Sequence, residues 1–234
     1  MIQYIDADGI FADVDMAHLR EDGCVAVSET LTPVMIFNAY QRGIFPWYED
    51  ENWVYWFATH PRFVLHPEKL HISHSLKKAI RKKSYDITIN QSFEEVMASC
   101  ASSLRKNQEG TWISERFQAA YTALHRMGYV HSFEYRQPES QELLGGFYGV
   151  QIGRVFYGES MFAKVADASK IAFAIAVPFL QKAGIALIDC QQETEYLKSF
   201  GAELCPLPDF IAEIRILNLQ NLNIDLTSVK KIEW

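Results

Sequence analysis

Apolar positions along this chain fall into helical and strand-like spacings separated by cap and turn residues. The opening is acidic and irregular as far as Thr32-Pro33, where a hydroxyl cap followed by proline predicts a short helix over Pro33–Arg42 that Gly43 can end. An aromatic stretch follows, Ile44-Phe45-Pro46-Trp47-Tyr48 and then Trp53, Tyr55, Trp56 and Phe57. Its prolines and acidic residues disfavour long regular elements, so a small packed N-terminal domain is predicted there. Ser73–Lys83 is helical in pattern, and Ser92 with Glu95 reads as a capping box for a helix through about Ser102. Ser114 caps another helix that Gly128 terminates, with a polar loop, Leu104 to Gly110, before it.

Strand patterns come next, at Val130–Arg136, Leu143–Gln151 and Arg154–Ser160, the last two joined by a glycine-containing hairpin turn. Ala168–Ala183 is a mostly apolar helix with Asp167 near its start, Pro178 inside and Gly184 at its end, and a buried strand, Ile185–Cys190, follows. This order predicts an α+β fold, a mixed sheet flanked by helices. The tail from Asn218 either adds an edge strand or stays loose.

Composition fits this picture: of 234 residues, 49% are hydrophobic and 13% aromatic, enough for a substantial core. Met1–Asp8 lacks the basic start and apolar run of a signal peptide, and no stretch reaches the roughly 18 apolar residues of a membrane helix, so a cytoplasmic location without membrane attachment is expected. The four cysteines are far apart without a CxxC pair and are expected to be reduced. The net charge of −7 argues against non-specific coating of nucleic acid. His60, His66, His71 and His74 sit in a proline-broken segment with no familiar ligand set, so no metal is expected. Gly145-Gly146 and Gly149 lie inside a strand pattern without a following helix start, which suits a bulge or a close approach better than a phosphate loop.

Strings spread over residues 39 to 202 carry a resemblance: Ala39-Tyr40-Gln41-Arg42-Gly43-Ile44-Phe45-Pro46-Trp47, Gly110-Thr111-Trp112-Ile113, Gly145-Gly146-Phe147-Tyr148-Gly149-Val150, Phe156-Tyr157-Gly158-Glu159-Ser160-Met161-Phe162 with Ala168-Ser169-Lys170, and Ile188-Asp189-Cys190-Gln191 with Ser199-Phe200-Gly201-Ala202. In order and approximate spacing they resemble the leucyl/phenylalanyl-tRNA–protein transferase family. The resemblance implies a small N-terminal domain, residues 1–64, and a catalytic domain of the acetyltransferase-like (GNAT) fold, residues 65–234. It implies transfer of Leu or Phe, with Met as a further donor, from aminoacyl-tRNA to the α-amine of proteins beginning with Arg or Lys, which marks them for degradation. No cofactor is implied, and a monomer is expected. The chain departs from the family at Tyr55-Trp56-Phe57-Ala58-Thr59-His60-Pro61-Arg62, and again at Thr194, Tyr196 and Leu207, where Asn, His and Arg are usual, so the resemblance supports the reaction type more than the acceptor choice.

An aminoacyl ester is already activated, so an amine can attack it directly, provided the amine loses a proton and the oxyanion is stabilised. Strand alternation places Asp189 and Gln191 on one face with Cys190 on the other. By resemblance Asp189 and Gln191 orient the amine and help deprotonate it, and Glu159 pairs with a cationic group of the acceptor; spacing alone would make the carboxylates ordinary capped or surface groups. The resemblance puts Phe147, Phe156, Phe173, Ala176, Leu180 and Ile188 in the donor side-chain pocket, although the pattern by itself equally describes a core. Trp47, Trp56 and Trp112 are candidates for stacking on the terminal adenosine of tRNA, one or two of them at most. Lys77, Lys78, Arg81, Lys82 and Lys83 form the most basic segment and are the candidate phosphate contact, the alternative being a solvated helix face. Two rival functions remain: an acyl-CoA-dependent N-acetyltransferase, for which no pyrophosphate loop is evident, and a non-catalytic binder.

Overall fold

The computed structural model describes residues 2–82, 84–103 and 113–233. These form, in order, β1 (Gln3–Ile5), β2 (Cys24–Ser28), α1 (Pro33–Tyr40), β3 (Phe45–Glu49), β4 (Val54–Phe57), β5 (Arg62–Leu65), α2 (His74–Ile80), β6 (Asp86–Ile89), α3 (Phe93–Ser102), α4 (Glu115–Arg126), β7 (Val130–Arg136), β8 (Leu143–Ile152), β9 (Val155–Ala163), α5 (Ala168–Ala183), β10 (Leu187–Gln191), α6 (Glu195–Lys198), β11 (Glu203–Cys205) and α7 (Leu207–Leu217). One sheet has the order β1-β2-β4-β3 and the other β11-β5-β10-β9-β8-β7-β6. Pairing is parallel at β1–β2 and β9–β10 and antiparallel elsewhere, so both sheets are mixed.

Alternation along the large sheet divides the core in two. Phe133, Phe147, Phe156 and Ile188 face α5, whose Ala172, Ala176 and Leu180 are fully buried against them. Val130, Tyr148, Val150 and Tyr157 face the other way, onto Phe93 of α3 and Phe117 and Tyr121 of α4. That second cluster continues without interruption into Ile36, Tyr40 and Trp56, so the N-terminal sheet shares a core with the rest. The strand that begins at Arg62 already belongs to the larger sheet.

Three helix starts follow the sequence logic: the hydroxyls of Thr32, Ser73 and Ser114 accept from the backbone N–H groups of Met35, Leu76 and Phe117. The fourth does not. Ser92 makes no side-chain cap. Buried Glu134 of β7 holds the chain just before the helix, accepting from the N–H groups of Gln91 at 3.1 Å and Ser92 at 3.3 Å and from the hydroxyls of Thr88 and Ser132.

The aromatic stretch is more regular than its prolines suggest. It makes the antiparallel strands β3 and β4, joined by a turn in which Asp50 accepts from the N–H groups of Asn52 and Trp53. The tail reaches the edge of β6, where Ile89 N–H donates to Lys230 and Ile232 N–H to Ile87. Gly149 sits beside a bulge in the β8–β9 ladder; a Cβ there would stand 2.4 Å from the Tyr157 carbonyl oxygen and 2.5 Å from the Phe156 ring. Leu104 to Gly110, Trp112 and Lys83 lie outside the described residues.

Candidate active site

The parallel strands β9 and β10 pair for three residues only, Val155–Tyr157 with Leu187–Asp189. Beyond Tyr157 and Asp189 they part, and a cavity of about 600 Å³ occupies the opening. Gly158 to Ala163 of β9, Ile188 to Gln191 of β10 and the following Gln192 line it, together with Phe147, Phe173, the α6 segment at Thr194, Tyr196 and Leu197, and Phe45, Pro46 and Trp47 of β3. Both sheets thus contribute walls. Part of the lining is aromatic, with Phe147 packed against Phe156 and Phe173 at centroid distances of 6.1 and 5.5 Å. Glu159, Asp189 and Gln191 supply polar lining.

Glu159 is the extra residue of the β8–β9 bulge: Tyr148 pairs with Ser160 and Gly149 with Gly158, leaving Glu159 without an opposite number. Its carboxylate receives the hydroxyl of Tyr40 on one oxygen and that of Tyr121, at 3.1 Å, on the other, and the two hydroxyls lie 3.3 Å apart. Burial pushes the Glu159 carboxyl up to about 8, against the opposing pull of the two phenols. Among the described residues no basic side chain forms an ion pair with Glu159.

Asp189 is held differently. Arg62 of β5 grips it through two bonds, Nε to Oδ1 at 2.9 Å and a terminal nitrogen to Oδ2 at 2.7 Å, and neither side chain is exposed. The guanidinium lies between the rings of Phe45 and Phe210, 4.7 and 4.8 Å from their centroids. Asp189 Oδ1 also accepts the Gln191 N–H at 2.9 Å, and the Gln191 carbonyl accepts the Thr59 hydroxyl. Gln191 has φ of 56°, and the β10–β5 register shifts between Asp189 and Gln191. Strict alternation therefore ends at Asp189, and Cys190 joins its neighbours in lining the cavity. A carboxylate so fully engaged fixes the turn at Gln191.

The cavity gathers Phe147, Phe156, Phe173 and Ile188 of the six apolar residues singled out from sequence. Ala176 and Leu180 are buried one and two turns further along α5, where they pack beneath the sheet as core. Trp47 is a half-buried wall of the cavity. Trp56 is fully buried, edge-on to Phe11 at 4.8 Å with its indole N–H on Ser28, so it offers no face to a base. Lys77, Lys78, Arg81 and Lys82 are exposed at α2, and among the described residues no acidic side chain pairs with them. Sequence reasoning missed Tyr40, Tyr121 and Arg62 as site residues; each acts through a partner more than 35 positions away, which leaves no local signal.

Among the described residues no group of three or more His, Cys, Asp or Glu side chains is arranged to hold a metal ion, and no helix is long and apolar enough to cross a membrane. Comparison with known proteins gives the following. The family model for leucyl/phenylalanyl-tRNA protein transferase matches residues 64–215, and that for its N-terminal domain matches residues 29–60. The leucyl/phenylalanyl-tRNA–protein transferase of Neisseria meningitidis serogroup C / serotype 2a is 53% identical over 211 residues, 89% of this chain and 88% of that one. Those of an Anaeromyxobacter species and of Nitrosospira multiformis are 45% and 42% identical, over 87% and 93% of this chain and 85% and 92% of theirs. The solved structure of L-PGS from Bacillus licheniformis matches with a TM-score of 0.38 at 8% identity, over 70% of this chain and 51% of that one. With two family models spanning most of its length and relatives this similar end to end, the chain belongs to the leucyl/phenylalanyl-tRNA–protein transferases, a family of aminoacyltransferases.

Proposed function

We propose that the cavity takes the Leu, Phe or Met side chain of an aminoacyl-tRNA at its aromatic lining, and at its polar lining the N-terminal residue of a protein beginning with Arg or Lys. The observation that carries this is the single opening between β9 and β10, where an apolar lining meets a carboxyl group with no cationic partner among the described residues. The acceptor nitrogen attacks the ester carbonyl, the bond to the tRNA ribose oxygen breaks, and the amine's proton ends on that oxygen. Gln191, presented by the Asp189–Arg62 pair, orients the amine. Glu159 receives the cationic group of the acceptor, which stabilises its ionised form. The product, carrying an added Leu or Phe, would serve as a degradation signal.

On the same reading the seven-stranded sheet with its parallel β9-α5-β10 unit is acetyltransferase-like, and the two sheets mark two domains around a shared core, with the boundary just before β5 rather than at residue 64. The enzyme acts as a cytoplasmic monomer. Trp47 stacks on the terminal adenosine, and the basic face of α2 meets tRNA phosphates; Trp47→Ala is expected to raise KM for charged tRNA by roughly tenfold, the worth of one stacked base. A Trp47→Ala enzyme with unchanged KM for tRNA would remove that contact from the reading.

The test of the function is transfer of labelled leucine or phenylalanine from charged tRNA to peptides beginning with Arg, Lys, Asp or Glu, without CoA or ATP. Label on the Arg and Lys peptides is the expected result. Label confined to the acidic peptides overturns the acceptor assignment, and label on none overturns the transfer itself.

A further inference from the structure

Negative charge is unevenly spread along this chain. Residues 1–60 hold ten acidic side chains against two basic ones, Arg20 and Arg42, whereas the whole chain has an excess of seven, so residues 61–234 are close to neutral. The acidic segment carries the four-stranded sheet, whose inner face sends Ile5, Ala26 and Trp56 into the core. Its outer face is aromatic. Register sets Tyr4 beside Val27, Val27 beside Tyr55 and Tyr48 beside Tyr55, a row crossing all four strands. Tyr4 is 55% and Tyr48 43% exposed, Trp53 packs edge-on to Tyr4 at 5.9 Å, and Tyr48 stacks on Tyr55 at 5.0 Å. Single large apolar residues on a surface need no explanation, but a contiguous aromatic set marks a contact site.

The row ends at β3, the edge of the sheet, and β3 is also a wall of the cavity through Phe45, Pro46 and Trp47. The Trp47 ring lies 6.3 Å from that of Tyr48 and 4.9 Å from that of Phe57. A chain leaving the cavity along the β3 edge therefore runs onto the tyrosines. From β3 to β1 is three inter-strand steps, about 14 Å, or roughly four extended residues. Exposed Glu51 and the Asp50 carboxylate on the Tyr55 hydroxyl stand beside the row. Such surroundings repel phosphate, which makes RNA the wrong occupant, and attract cationic side chains, which also stack on tyrosine faces.

We infer that the outer face of the N-terminal sheet is a docking track for the acceptor polypeptide, taking roughly its third to sixth residues, favouring Lys and Arg there and disfavouring Asp and Glu. The inference rests on the cavity taking the acceptor's N-terminal residue, as proposed above. Two peptides that both begin with Arg, one with Lys and Arg and the other with Glu and Asp at those positions, separate the two ideas. The acidic peptide is expected to show a KM on the order of tenfold higher with similar kcat, a gap that narrows in high salt. Tyr48→Ser and Glu51→Lys, made singly in the full chain, are each expected to bring the KM ratio toward one. Equal KM values in the unaltered enzyme overturn the track, as does a ratio that survives both variants or a Tyr48→Ser enzyme that loses charged-tRNA affinity instead. Failure of both Arg peptides to accept label overturns the acceptor assignment and the track with it.

Discussion

Arg62→Met is expected to lose about 3–5 kcal/mol of stability in urea titrations, because it leaves the fully buried Asp189 carboxylate without its cationic partner. The double variant Arg62→Met, Asp189→Leu removes both charges and leaves similar volumes between Phe45 and Phe210. Replacing a whole buried ion pair by apolar groups is often neutral, so the double variant should recover most of that loss. It should nonetheless fail to transfer, since nothing then accepts the Gln191 N–H or holds the left-handed turn there. A double variant that is both stable and active would show the pair to be packing alone.

Glu159→Gln should lower kcat/KM for an Arg-peptide by about two orders of magnitude, the scale of truncating one member of a buried charge pair. Stability should move in the opposite sense. The native carboxyl holds its proton up to about pH 8, and the unfolded one releases it near its ordinary value of 4.5. The native state therefore binds more protons across that window, and stability falls as pH rises from 4.5 through 8. Glutamine does not titrate, so the variant's stability should be flatter over that range. Wild-type kcat/KM should rise toward pH 8 as the empty site ionises, and the variant should lack this component. Identical stability profiles for the two proteins would mean that Glu159 is not held protonated.

Much of the fold is legible in sequence because its signals are local. Pro33, Ser73, Ser114, Gly128 and Gly184 each mark a boundary through the backbone geometry of the next few residues, and the helix Ala168–Ala183 matches its apolar run end to end. What stays hidden depends on distant partners. Ser92 looks like a cap, but its hydroxyl caps nothing and its own N–H is taken by Glu134 of β7. Trp56 looks like a stacking platform until Phe11 and Ser28 close over it. Ala176 and Leu180 share the composition of a pocket and of a core, and only the line along which β9 and β10 separate distinguishes Phe173 from them.

The candidate site was half legible for the same reason. Asp189, Gln191 and Glu159 stand in strings whose resemblance singles them out, but their states do not. The alternation that placed Asp189 and Gln191 together fails at a bulge, which no hydrophobic pattern encodes. Whether a carboxylate is locked or near titration depends on Arg62 for one and on Tyr40 and Tyr121 for the other.

Those five side chains come from α1, β5, α4, β9 and β10. A chain still being synthesised has no Asp189 for Arg62 to grip until β10 has left the ribosome, and until β9 has done so Tyr40 and Tyr121 face no carboxylate. A chain stopped before β9 would therefore lack both arrangements, and one stopped between β9 and β10 would have only the carboxyl between the two phenols.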